Sequence, residues 1–126
     1  MIRPPVVCVD FDGTLVHNAY PETGSPIEGS AEALLRLRKM GFYIIIFSCR
    51  TNISLCLNER EMFRQKKLIE KSLKDYGIPF DEVALSSTGK PIADFYIDDR
   101  AVPFSGDWNT ALEYISKNSR PESHRI

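Results

Sequence analysis

No run in these 126 residues approaches the roughly 18 consecutive apolar positions that a membrane-spanning helix needs. The first residues, Met1-Ile2-Arg3-Pro4-Pro5, enter a short apolar stretch directly and lack the apolar length and cleavage site of a secretory leader. Cysteine is scarce: Cys8, Cys49 and Cys56 are odd in number and show no CxxC spacing, which speaks against both a disulfide framework and a zinc knuckle. These absences set the expectation of a soluble protein in a reducing cytoplasm, with no membrane partner. An excess of one charge is missing too. Sixteen basic residues against seventeen acidic ones leave a net charge of -1, so no broad basic face exists for non-specific nucleic-acid binding, although a charged nucleic-acid end remains open as a ligand. Neither an internal repeat nor a low-complexity segment is present.

What remains is an ordinary globular composition, 43% hydrophobic and 26% charged, in a chain of single-domain size. We expect one domain over residues 1–118 and a flexible tail over 119–126. Residues 5–9 are valine-rich between prolines and an Asp-Gly turn signal, which predicts a fully buried strand. A second apolar run, 42–47, is rich in aromatic and β-branched residues and predicts a central parallel strand. Residues 82–85 and 95–97 read as two shorter strands. Helical spacing of Ala33, Leu34, Leu37 and Met40 predicts a helix from Ser30, taken as its N-cap, to the stop at Gly41. A long helix is expected over 55–76, ended by Gly77 and Pro79, and a last one is capped by Asp107. Residues 17–29 carry turn formers without periodicity, so they read as a loop or a short two-stranded flap. Strands alternating with helices define the expected class: α/β, a Rossmann-like three-layer sandwich around a central parallel sheet, with ligands at the carboxyl ends of the strands.

That edge is where the chemistry collects. The first strand ends in Asp10-Phe11-Asp12-Gly13-Thr14-Leu15, two carboxylates two residues apart and therefore on one side of the strand, followed by a glycine that frees the backbone to turn. The fourth ends in Asp98-Asp99, so up to four acidic groups are expected to converge. Like charges a few ångströms apart repel by several kcal/mol at an effective dielectric of about 20, and all-oxygen ligands favour magnesium as the cation that relieves them. The second strand ends in Ser48, with Cys49 and Arg50 behind it, so a hydroxyl and backbone amides reach the same edge; a capping serine is the plainer alternative.

In these motifs the chain resembles the haloacid dehalogenase superfamily of phosphohydrolases. The family's first motif looks like Asp10-Phe11-Asp12-Gly13-Thr14-Leu15, its second like Ile44-Ile45-Ile46-Phe47-Ser48, and its fourth like Ile97-Asp98-Asp99, in order over residues 6–99. The resemblance implies a magnesium-dependent phosphatase for phosphate monoesters, in which Asp10 attacks phosphorus to form an aspartyl-phosphate and Asp12 acts as general acid and base. It further implies that Asp10, the backbone carbonyl of Asp12 and Asp98 hold the ion, that Asp99 orients a water on it, and that Thr14, Ser48 and the turn at Cys49 bind phosphate oxygens.

The family's lysine is matched best by Lys90 in Gly89-Lys90-Pro91-Ile92-Ala93-Asp94, with Lys66 or Lys67 on the long helix as substitutes. Lys90 stands only eight residues before Asp98, and a straight strand would part them by about 26 Å at ~3.3 Å per residue, so the chain around Pro91 must fold back. Arg50 and Arg100 flank the motifs, and pairing with a nearby carboxylate is the expected role. His17 and Tyr20 sit in the flap. No gap holds a cap domain, so the chain resembles the family's capless members; an open site of that kind suits a sugar phosphate, a nucleotide or a polynucleotide end, and suits a homo-oligomer in which a neighbour serves as lid. A phosphotransferase or phosphomutase working through the same aspartyl-phosphate, and a phosphate-binding domain without turnover, are the competing readings.

Overall fold

The computed structural model describes residues 3–85 and 89–119; apart from Ser119, the expected tail lies outside the described residues. Four strands, β1 (Val6–Val9), β2 (Tyr43–Ile46), β3 (Glu82–Val83) and β4 (Phe95–Ile97), form one parallel sheet in the order β3-β2-β1-β4. Three helices flank it, α1 (Ser30–Lys39), α2 (Glu59–Asp75) and α3 (Trp108–Asn118), which gives the Rossmann-like layered α/β arrangement. Among the described residues no helix is long and apolar enough to cross a membrane.

The apolar runs become strands because β1 and β2 are covered on both sides. Alternate residues of the two strands, Val7, Val9, Ile44 and Ile46, pack with Leu34 of α1 and Ile69 and Leu73 of α2. The intervening Val6, Cys8 and Ile45 form a smaller cluster with Ala84, and Ala93 packs against it. Both α1 and α2 therefore serve one face of the sheet. β4, an edge strand, is exposed throughout, and α3 buries only Ala111 while leaving Trp108, Leu112 and Ile115 exposed.

Helix ends depart from the expected bounds for local reasons. Gly29, at φ 87°, takes the N-cap place expected for Ser30, which is instead the first helical residue. The long helix starts at Glu59, because residues 49–55 make two successive 3-10 turns and Asn58 then caps α2 by accepting from the Glu61 N–H at 2.9 Å. Its end, with Tyr76 as C-cap and Gly77 at φ 69°, falls where the glycine predicts.

Two aspartates extend the ladder past the strands. The Asp81 N–H donates to the Ile44 carbonyl at 2.9 Å while its Oδ2 accepts from the Ile44 N–H at 2.7 Å. Asp94 does the same to Val6, at 2.8 Å for both bonds, and so fixes the register of β4 on β1. Removing the Asp94 carboxylate strands the N–H of a residue only 7% exposed. Asp94→Ala is expected to cost about 1–3 kcal/mol in urea unfolding, and Asp94→Asn, which keeps an acceptor oxygen, clearly less. Equal losses for the two variants would contradict this role.

Candidate active site

The strand order reverses at β1: the chain leaves it through α1 toward β2, whereas β4 lies on its other side. In open α/β sheets such a reversal leaves a crevice at the carboxyl ends of the two strands. Asp10 follows β1 and is still tied to β4, its N–H donating to the Ile97 carbonyl at 2.9 Å. Asp98 and Asp99 follow β4 directly. The three side chains each offer a carboxylate oxygen, and these oxygens lie within 4.8 Å of one another.

The fourth carboxylate is turned elsewhere. Both oxygens of Asp12 accept from Arg50, Oδ2 from Nε at 2.7 Å and Oδ1 from Nη2 at 2.9 Å. Three acidic side chains thus converge in place of the four expected, while Asp12 lines the same cleft with its carboxylate paired to Arg50. The turn that brings Asp12 round is built on one acceptor. The N–H groups of Thr14, Leu15 and Val16 all donate to the Phe11 carbonyl, at 3.3, 3.0 and 3.2 Å. Gly13 makes the turn at φ 85°, and a β-carbon there would collide with the Asp99 carboxylate. Thr14 bridges the two chain segments, its hydroxyl 3.3 Å from Asp10 Oδ2 and 3.5 Å from Asp99 Oδ1.

Crowding shows in the electrostatics. Burial, a hydrogen bond that the protonated Asp10 carboxyl donates to Asp99, and the charges of Asp98 and Asp99 together push the Asp10 carboxyl from 3.8 up to about 7, against a smaller opposing effect of the Phe11 N–H. Negative charge is in excess around Asp10, and the donor set is oxygen only, so the three carboxylates could hold a metal ion. The Cys49 thiol lines the cleft, but burial and the nearby Asp10 carboxylate raise its pKa, so it is a poor nucleophile at neutral pH.

Other expected residues are placed differently from the carboxylates. Ser48 is buried, and its hydroxyl accepts from the Arg50 N–H at 3.1 Å, so it caps the first 3-10 turn. Lys90 is not among the residues lining the cleft at Asp10; its ammonium stands 4.6 Å from the centre of the Tyr96 ring. The fold-back before β4 is present all the same, closed by the Tyr96 hydroxyl, which donates to the Pro91 carbonyl and accepts from the Ala93 N–H. Lys66 is paired with Glu70 at 2.9 Å on α2.

A cleft of about 70 Å³ lies against Asp10, room for roughly five water-sized atoms and hence for a phosphoryl group. Its remaining wall includes Asn18 and Tyr20 from the flap, Leu55 from the second 3-10 turn, and Arg100. The flap is paired as a short two-stranded element, with a bridge between Val16 and Pro26 and the His17 N–H donating to the Ser25 carbonyl at 2.8 Å. Sequence pattern gave no signal for Asn18 or Leu55 as lining residues, since neither belongs to a motif and both arrive through loop geometry.

Fold and site together describe a Rossmann-like α/β protein with an acidic, oxygen-only cluster at the topological switch point. No family model matches the chain, and no curated protein sequence matches it. Solved structures do. A conserved protein from Bacteroides thetaiotaomicron superposes with a TM-score of 0.56 at 24% identity, covering 98% of this chain and 100% of that one. A crystal structure from Vibrio cholerae gives a TM-score of 0.55 at 26% identity, with 91% and 99% covered. The likeness to both extends over nearly the whole of each chain, so the layered arrangement is a shared fold and not a local coincidence.

Proposed function

We propose that the protein is a magnesium-dependent phosphatase of the haloacid dehalogenase type, acting on phosphate monoesters through an aspartyl-phosphate on Asp10. The observation that carries this reading is the meeting of Asp10, Asp98 and Asp99 oxygens within 4.8 Å, with Asp12 two residues on and held in a fixed orientation. A bound divalent cation would offset most of the charge of the three carboxylates and let a phosphate dianion approach Asp10.

One Asp10 oxygen attacks phosphorus as the bond to the ester oxygen breaks, and Asp12 delivers a proton to the departing oxygen. Asp12 then takes a proton from water, which attacks the same phosphorus; the phosphorus–oxygen bond to Asp10 breaks, inorganic phosphate leaves, and Asp10 is regenerated. Each Asp12 oxygen accepts one bond from Arg50 and keeps a second lone pair for this traffic. The Thr14 hydroxyl, placed between Asp10 and Asp99, is in position to bind a phosphate oxygen. The small cleft admits the phosphoryl group and leaves the alcohol portion at the flap and Arg100, so a sugar phosphate, a nucleotide and a polynucleotide end all belong in the substrate panel. A second copy covering the exposed β4 and α3 side is part of the same proposal, and light scattering that shows only monomer at working concentration would remove it.

The test is release of inorganic phosphate from that panel with magnesium and with EDTA. Turnover that EDTA abolishes and magnesium restores is expected; none on any monoester, or full activity in EDTA, would overturn the reading. A second measurement needs no substrate. Because Asp10 is protonated below about pH 7 in the metal-free protein, magnesium should raise Tm at pH 8 and have little effect at pH 5. A shift of equal size at both values would contradict a carboxylate site centred on Asp10.

A further inference from the structure

The guanidinium of Arg50 is the most deeply buried charged group among the described residues, at 2% exposure, and it reaches past Asp12. Its Nη1 donates to the Pro21 carbonyl at 3.0 Å, and Nη2 donates to the Glu22 carbonyl at 2.6 Å in addition to its bond to Asp12. The Tyr20 ring centre lies 4.9 Å from the guanidinium carbon. One side chain from the turn after β2 thus holds the Asp12 carboxylate and two successive flap carbonyls. Only a planar fork with several fixed donors can do this; a lysine ammonium cannot reach all of these acceptors at once.

We infer that Arg50 is a positioning residue that locks Asp12 and the flap into one unit, so that Asn18 and Tyr20 form a standing wall over the cleft in place of an inserted domain. This rests on the phosphatase reading for its catalytic consequence, and on geometry alone for the locking. The far end of the flap is secured independently: the Tyr76 hydroxyl, just past α2, donates to the Gly24 carbonyl at 3.0 Å, and a β-carbon at Gly24 would collide with the His17 carbonyl. Residues 18–22 depend on Arg50 for their place, whereas residues 24–26 do not.

Glutamate-specific proteolysis of the magnesium-free protein reads the locking without turnover. Cleavage after Glu22 should be slow in the wild type and at least about tenfold faster in Arg50→Lys and Arg50→Ala, because local opening governs the rate. Glu32 on α1 and Glu70 on α2 serve as internal controls, and their cleavage should not change unless the whole domain opens. In the wild type itself, the Arg50 Nε–H should give a resolved nitrogen-15 signal protected from exchange with water; an unprotected signal overturns the inference even if both variants fail to fold. With a substrate from the panel and magnesium, kcat should fall about 100-fold in Arg50→Ala, and added guanidinium ion should restore part of it. Unchanged cleavage after Glu22, or unchanged kcat in both variants, would overturn the assignment. A wild type that hydrolyses no monoester would remove the phosphatase reading and the kinetic half of this one, while the proteolysis and the protected signal would still decide the locking.

Discussion

Asp10→Asn should lose turnover by at least about 10⁴-fold, the scale on which removal of an attacking group is felt, and should gain stability in the metal-free state at pH 8. The two effects come from one property of the site. An amide cannot form the acyl-phosphate, so the covalent route closes. The same amide removes a charge from a place where Asp98 and Asp99 already supply two, and where burial together with those neighbours raises the Asp10 carboxyl from 3.8 to about 7. The sign follows from proton binding. Between about pH 4 and pH 7 the folded wild type holds a proton on Asp10 that the unfolded chain has released, so metal-free stability falls as pH rises through this window. Above it the full cost of the buried charge is present. Thermal unfolding without metal should therefore show a flatter pH dependence for Asp10→Asn than for the wild type, with the variant melting higher at pH 8. Magnesium should reverse the order, because the variant's ligand at this position has lost its negative charge. Wild-type turnover would refute the nucleophile; a variant melting lower than wild type at pH 8 in EDTA would refute the crowding.

The carboxylates that meet at the sheet edge were legible in the sequence where they follow strands. Asp10 and the Asp98-Asp99 pair each end an apolar run, and parallel strands bring their carboxyl ends to a common edge whatever the intervening loops do. Residues whose position depends on loops were not legible in the same way. Asp12 was placed on the side of the strand that carries Asp10, but the chain has already turned at that point, so its carboxylate faces the turn after β2 and pairs with Arg50. Pairing of Arg50 with a nearby carboxylate was expected from its position between motifs; its hold on Pro21 and Glu22 was not, because backbone carbonyls leave no trace in residue type. Lys90 precedes a bend whose direction spacing alone does not fix, and a local partner, the Tyr96 ring, takes its ammonium. α2 starts four residues later than expected because the chain up to Leu55 is taken up by 3-10 turns, and Asn58 then offers the side-chain acceptor that sets the helix end.

Gly13→Ala separates a conformational cost from a site effect. At φ 85° an L-residue pays about 1–2 kcal/mol, which in a domain of this size lowers Tm by roughly 3–10 °C. Gly41 adopts a similar φ of 93° with nothing near its missing side chain, so Gly41→Ala should show the same thermal loss. The methyl group at Gly13 meets the Asp99 carboxylate in addition. That carboxylate ends a flexible, exposed side chain and can swing away at little further cost in stability, but it then leaves Asp10 and Asp98 with two-thirds of the cluster and Thr14 without its second acceptor. Magnesium affinity read by thermal shift at pH 8 should fall about tenfold or more, in line with losses seen when groups around a metal site are disturbed, and turnover should fall with it. Gly41→Ala should keep both. If the two variants bind magnesium equally well, Asp99 is not part of the cation site, and the turn at Gly13 serves the backbone alone.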